Sequence, residues 1–277
     1  MPRSLATELG DWQVVVLTDG DLEFGADVFP GTDPARIDSL LAAAAEPAIR
    51  TNFNAFLAKG RGRTVLVDAG PRDLFGPTAG HLAEALAETG TAPGTIDTIF
   101  VTHMHPDHIA GLVSAGGAAT FPNAELVMAE AERAFWSDPA RFSGDDTLAA
   151  WQALTGAVLG AYGERLRTIA MDGEIVPGLT ALPLPGHTPG HCGVRLDSGD
   201  ASFVHMGDIV HAQTLQLADP SIGVVFDVDP AAAQAARRGL LDMLASDGAL
   251  CSGGHILQPA LGRVTRRDGG FAFAAAD

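Results

Sequence analysis

His103-Met104-His105-Pro106-Asp107-His108 puts three imidazoles and a carboxylate into six residues. Both groups are natural ligands of divalent cations, so the segment reads first as a metal centre. Side chains of an extended segment alternate with period two, so His103 and His105 share one side and can grip one ion together. Pro106 turns the chain and sends Asp107 and His108 elsewhere, toward a second ion. The preceding residues, Ile96-Asp97-Thr98-Ile99-Phe100-Val101-Thr102, are apolar and β-branched, the pattern of a buried strand. The cluster therefore starts where a strand ends, which is where open α/β sheets place their chemistry.

Three later strand exits carry the same kind of residue. Pro185-Gly186-His187-Thr188-Pro189-Gly190-His191 follows the apolar run 179–184, Gly207-Asp208 follows 202–206, and Gly253-Gly254-His255 follows 249–252. A lone histidine after a strand is usually a hydrogen-bonded structural residue, and an aspartate after glycine is usually a turn. Four exits in succession, led by a three-histidine cluster, carry the metal reading. With no sulfur ligand among them, zinc is the commonest choice, and Mn²⁺, Co²⁺ and Fe²⁺ remain open.

The elements that position these exits are legible in outline. Strands are expected at 12–17, 53–58, 64–68, 96–102, 125–128, 179–184, 192–196, 202–206 and 249–252. Asp19-Gly20 is expected to turn the chain after the first, and Gly60-Arg61-Gly62 to close a hairpin between the second and third. Helices are expected at 38–45, 80–89 and 230–244, and across 129–162 with a break at 138–144. Strands in groups separated by helices imply an α/β fold of two packed sheets with helices outside. No repeat or disordered linker divides residues 1–277, so a single domain is expected.

Composition narrows the function. The 277 residues are 47% hydrophobic, enough to bury roughly 70–75% of the unfolded surface. Thirty-four acidic against 17 basic residues give a net charge of −17, which repels polyanions and argues against a nucleic-acid partner. Cys192 and Cys251 are too few for a disulfide framework and are expected to be buried thiols. No apolar run suits a signal peptide or a membrane span, so a cytoplasmic protein without membrane contact is expected.

The motif at 103–108 and the order of the later exits resemble the metallo-β-lactamase superfamily, from Asn52 through His255, with Leu66-Val67-Asp68-Ala69-Gly70 similar to the family's strand before its first helix. The resemblance implies an αββα sandwich of two mixed sheets with the site at one edge. It implies two cations, one held by His103, His105 and His187, the other by Asp107, His108 and His255, with Asp208 bridging. Leu74-Phe75-Gly76-Pro77-Thr78-Ala79-Gly80, Phe121-Pro122-Asn123-Ala124 and Asp219-Pro220-Ser221 are similar to the methyl parathion hydrolase branch, which holds phosphotriesterases, lactonases and aryl-ester hydrolases. A homodimer is implied on the same footing. Departures exclude some relatives: a β-lactamase of the familiar type would carry cysteine at position 208, a flavodiiron protein glutamate at 105, and a glutathione-thioester hydrolase a longer basic C-terminal region.

Other residues take supporting roles in this reading. Asp107 and Asp208 are catalytic candidates as well as ligands. Asp68 is expected to orient a ligand histidine. His211, three residues past Asp208, is a candidate donor to the departing oxygen, where related acyl-homoserine lactonases place a tyrosine. Phe75, Trp136 and Trp151 are candidates for the pocket wall. His81, His191 and His205 are expected to be structural, His81 on a helix and His205 within a strand. The expected activity is hydrolysis of small neutral lactones or aryl esters, with phosphotriesters as the alternative substrate. A catalytically silent metal-binding module is the alternative of another class.

Overall fold

Val14-Val15-Val16-Leu17 and Phe53–Ala58, apolar but for Asn54, are runs on which both faces can be buried, and in the computed structural model, which describes residues 2–276, they pair as interior strands of a sheet. That sheet runs β1 (Ser4–Leu9), β2 (Trp12–Phe24), β3 (Ile49–Gly60), β4 (Arg63–Val67), β5 (Thr98–Val101), β6 (Glu125–Ala129), β7 (Leu166–Ile169) in spatial order. Pairing is antiparallel through β4 and parallel from β4 to β7. The second sheet holds β8 (Glu174–Val176), β9 (Leu179–Pro183), β10 (Cys192–Ser198), β11 (Ala201–His205), β12 (Leu250–Ser252), β13 (Gly262–Arg267) and β14 (Gly270–Ala275), antiparallel except for the parallel β11–β12 pair. Both sheets are thus mixed, as expected of the αββα sandwich.

Strand periodicity divides the core. Val14, Val16, Phe56, Val65, Val67 and Phe100 face the second sheet, meeting Ala181, Val194, Leu196, Phe203 and Val204. Their sequence neighbours Val15, Leu17, Leu57, Leu66, Ile99 and Val101 face outward. The intervening helices are α1 (Pro34–Ala44), α2 (Leu82–Glu88), α3 (Pro106–Ile109), α4 (Glu130–Trp136), α5 (Asp146–Tyr162), α6 (Gln213–Gln216) and α7 (Pro230–Asp247). α2, α4 and α5 cover the outward face of the first sheet through Leu86, Trp136, Val158 and Tyr162, and α7 packs along β13. Local signals fix where α7 starts and stops. Asp229 caps it by accepting the Ala231 and Ala232 N–H groups, Pro230 opens it, and Gly248 ends it with φ 62°.

The expected turn at Asp19-Gly20 is not there. β2 runs through both residues to Phe24 with a register shift between Thr18 and Gly20. The bulge lets Asp19 accept the N–H groups of Gly80 and His81. Five strands were absent from the expected set, β1, β7, β8, β13 and β14, and all lie at or next to a sheet edge. Strands at the edge keep exposed residues among buried ones, as in the burial alternation of β13, so such runs read as polar; β14 differs, a short Gly/Ala/Phe run with no β-branched residue to mark it. α1 begins at Pro34, earlier than expected, because Asp33 caps it. Residues 20–50 fold over the loop after β11, with Phe29, Ile37, Leu40 and Ile49 packed on Ala212, Leu215, Ile222 and Val224. Among the described residues no helix is long and apolar enough to cross a membrane.

Candidate metal centre

All four expected exits open onto one side of the sandwich. His103 and His105 leave β5, and Pro106 starts α3, whose single turn carries Asp107 and His108. His187 follows β9, Asp208 follows β11 and His255 follows β12. The ring nitrogens and carboxylate oxygens fall into groups that could hold a cation: His103, His105 and His187; Asp107, His108, Asp208 and His255; and His187, Asp208 and His211, with ligand atoms within 4.8 Å of one another in each.

Asp208 Oδ2 is the common point. It lies 2.8 Å from His255 Nε2, 3.1 Å from His108 Nε2, 3.3 Å from His211 Nε2, 3.6 Å from His187 Nε2 and 3.7 Å from His103 Nε2. Asp107 Oδ2 is 3.3 Å from His255 Nε2 and 3.4 Å from His108 Nε2. Every one of these residues except Asp107 is buried. Gly254 permits the approach, since a Cβ there would run into Asp208 Oδ1 and crowd His108.

Partners outside the cluster fix which nitrogen faces in. His255 Nδ1 donates to the Asn52 carbonyl at 2.8 Å, His108 Nδ1 to Asp68 Oδ2 at 2.8 Å and His187 Nδ1 to Asp227 Oδ1 at 2.9 Å. With the proton on Nδ1, each Nε2 turns a lone pair inward. Lone pairs then face carboxylate oxygens, and His103 Nε2 faces His187 Nε2 at 3.1 Å. That arrangement is repulsive unless positive charge sits between the atoms. Asp208 Oδ1 is moreover buried without a partner among the described residues. The donor set therefore fits divalent cations.

Without a cation, protons on His108 and His255 take its place against the carboxylates. Burial holds His103, His105 and His187 well below the usual imidazole range. Burial also disfavours charge on His108 and His255, but the nearby carboxylates of Asp208 and Asp107 outweigh it and raise both, His255 to about 10. Burial pushes Asp107 and Asp208 up, and the facing His108 and His255 more than reverse this, leaving both well below the carboxylate range.

The supporting candidates separate. Asp68 stands with φ 61° directly after β4. Beyond His108 it accepts the Thr102 N–H at 2.9 Å and the Thr102 hydroxyl at 2.8 Å, so it ties the β5 exit to the ring it orients. His191 lies behind the cluster: its Nδ1 donates to the Leu184 carbonyl and its Nε2 accepts the Asp208 N–H, each at 2.9 Å. His205 is buried in β11, stacked on Phe56. His81 precedes α2 rather than lying within it.

Above the carboxylates lies a narrow pocket lined by Leu22, Phe24, Phe53, Phe75, Trp151 and Phe226, with His105, Asp107, Asp208, His211 and His255 at its floor. Phe75 and Trp151 stand in its wall. Trp136 does not: it is 1% exposed behind His105, stacked on Phe142, and turns toward an adjoining cleft. Its bulk completes the packing of α4, a demand that a tryptophan's sequence position does not distinguish from pocket lining.

Two supporting carboxylates escaped the sequence reading. Asp227 holds His187 and lies 3.6 Å from the buried guanidinium of Arg237. A single acid within the apolar stretch Ile222-Gly223-Val224-Val225-Phe226-Asp227-Val228 was the available signal. Glu132 on α4 is wholly buried and accepts four hydrogen bonds from uncharged donors. Burial raises its carboxyl despite those donors. Its only trace in the sequence is the spacing of Glu132 and Trp136, four apart on one helical face.

Known proteins place this architecture. The description of the metallo-beta-lactamase superfamily matches residues 50–255. A probable metallo-hydrolase of Mycobacterium bovis is 30% identical over 149 residues, 48% of this chain and 43% of the relative, so the chain spans under half the length of that curated protein. An uncharacterised Bacillus subtilis protein is 29% identical over 170 residues, 58% of this chain and 66% of its own. Among solved structures, the hydrolase AbOPH of the beta lactamase superfamily superimposes with a TM-score of 0.92 at 27% identity, over 100% of this chain and 98% of the other. The dizinc quorum-quenching lactonase AidC has the same fold, with a TM-score of 0.90 at 24% identity over 100% and 99% of the two chains. With its motif at 103–108, its paired mixed sheets and a family match across most of its length, the chain belongs to the metallo-β-lactamase superfamily.

Proposed function

We propose that residues 1–277 form one hydrolase domain that uses two divalent cations to cleave small neutral lactones or aryl esters. The observation that carries this is the convergence on Asp208 Oδ2 of ring nitrogens from separate strand exits, directly beneath an apolar pocket. His103, His105 and His187 would hold one ion, Asp107, His108 and His255 the other, and Asp208 would bridge. Bound there, the pair supplies Lewis acidity, which polarises a carbonyl or phosphoryl oxygen and lowers the pKa of water.

The chain's own residues do the rest. Leu22, Phe24, Phe53, Phe75, Trp151 and Phe226 take the apolar part of the substrate and keep bulk water from the floor. Among the described residues no lysine or arginine lines this pocket, which disfavours dianionic phosphomonoesters and favours neutral esters. Asp107 is the partly exposed acid at the floor, at the boundary between substrate and cluster. His211 is stacked on His255 with ring centroids 5.0 Å apart, and its Nε2 is aimed at Asp208. An N–H there donates to the oxygen that leaves.

Zinc and acyl-homoserine lactones are the first choices for test, since a neighbour of the same fold is a dizinc lactonase crystallised with an acyl-homoserine product. The aromatic wall containing Phe75 and Trp151 also accommodates an aryl leaving group, so a place in the methyl parathion hydrolase branch, with phosphotriester cleavage, is the second reading. Comparing kcat/KM for a long-chain acyl lactone, phenyl acetate and paraoxon ranks the substrates. Expected is lactone or aryl ester ahead of paraoxon, with all turnover abolished by chelation and restored by zinc. Turnover indifferent to chelator overturns the metal mechanism, and metal uptake without turnover on any ester marks a silent binding module. Sedimentation velocity tests the proposed homodimer.

A further inference from the structure

Glu132 has an environment unusual for an acid. It is 0% exposed, and none of its donors carries a charge. Oε1 accepts the Met104 N–H and the Trp136 indole N–H, both at 2.8 Å, and Oε2 accepts the Thr188 hydroxyl at 2.6 Å and the Gly190 N–H at 3.2 Å. Met104 lies between His103 and His105, and Thr188 follows His187. One carboxylate therefore clamps both loops that deliver the three imidazoles of one half-centre. Gly190 is part of the device, because a Cβ there would collide with the Glu132 backbone. Trp136, fixed by the same oxygen, presents its edge to the His105 ring at a centroid distance of 5.8 Å. Burying an acid without a cation is costly, and a clamp on two ligand loops is what the burial secures.

Resting on the metal reading above, we propose that Glu132 is the positioning residue of the His103, His105 and His187 half-centre, setting how tightly that half-centre, and not its neighbour, retains a cation. Asp107, His108 and His255 receive no bond from Glu132; the His108 ring is held by Asp68 and the His255 ring by the Asn52 carbonyl.

The test loads wild type, Glu132→Gln and Thr188→Val with zinc and follows the ions retained per chain as EDTA is raised. The glutamine keeps the shape but sets an NH2 against donors. The valine removes one donor and leaves Glu132 in place. Expected is loss of one ion from Glu132→Gln at an EDTA concentration about 10- to 100-fold below wild type, with the second ion following the wild-type curve more closely. Thr188→Val should shift in the same direction by less. Anomalous scattering from crystals equilibrated at the intermediate EDTA concentration should show the surviving zinc among Asp107, His108 and His255. If both variants release their ions at wild-type concentrations, or release both ions together while only Tm falls, Glu132 is structural and the inference is overturned. Should Glu132→Gln fail to fold, Thr188→Val decides alone. A wild type that takes up no zinc overturns the metal reading itself, a result distinct from equal retention in variant and parent.

Discussion

The two halves of the cluster are held by different layers of the fold. Around His108 and His255 the outer partners belong to the first sheet: Asp68 directly after β4, and the Asn52 carbonyl within β3. Around His103, His105 and His187 only one partner belongs to the first sheet, Thr102 at the β5 exit, 3.1 Å from His103 Nδ1; the others come from outside the sheets, Glu132 from α4 and Asp227 from the loop before α7. One half is fixed by strands whose place is set by core packing. The other depends on helices and loops docking correctly over the sandwich. Metal affinity in the second case is therefore coupled to the packing of the helical layer.

The strongest way to break this comparison is to remove the residue both halves share. Asp208→Ala deletes the oxygen on which five ring nitrogens converge. We expect activity to fall by on the order of 10²–10³-fold or more and both ions to be lost more readily, measured by turnover and by zinc content after dialysis. Full retention of two ions would show that the halves are independent sites.

His211 lies on the seam, within reach of Asp208, stacked on His255 and tilted 55° to the His187 ring. His211→Ala should lower kcat by about 10²-fold with zinc content unchanged. Loss of an ion would instead make it a ligand, and normal turnover would remove it from the chemistry.

Asp68→Asn probes the strand-held half. The amide cannot offer His108 Nδ1–H the same charged acceptor, so retention of one ion should weaken by about 10- to 100-fold, in the half that Glu132→Gln spares. If the same ion is lost in both variants, the division into separately supported halves fails.

The legibility of the site follows the same division. Asp68 could be picked out because it closes an apolar strand next to glycine, and the ligand residues because each stands at a strand exit. Strand ends leave a local mark: an apolar run, a turn residue, then the functional group. Glu132 and Asp227 leave only a helical spacing and a lone acid in an apolar run, neither of which names a partner. Glu132 reaches Thr188 across 56 positions and Asp227 reaches His187 across 40, and such pairings are set by how layers dock. The fold shows a parallel contrast: the central strands β2 to β6 were readable from continuous apolar runs, whereas β1 and β13 were hidden by the polar alternation of sheet edges. Trp136 and Trp151 show the limit at single-residue scale, since equal aromatic character put one behind His105 and the other in the pocket wall.

That pair provides the smallest and most discriminating prediction. Trp151→Ala removes wall area facing the substrate, so it should raise KM for apolar esters more than it lowers kcat. Trp136→Phe keeps an aromatic ring against Phe142 but deletes the indole N–H given to Glu132 Oε1 and leaves a small cavity in the buried site. Oε1 still accepts the Met104 N–H, so no acceptor is orphaned, and the lost bond and the cavity together should cost about 1–3 kcal/mol of stability, seen in urea unfolding. If the helical layer controls one half-centre, that loss should be accompanied by a modest drop in retention of a single zinc ion. A Trp136→Phe protein that is destabilised yet holds both ions as wild type does would confine the coupling to the loop contacts at Met104, Thr188 and Gly190, and leave α4 as a platform that merely carries Glu132.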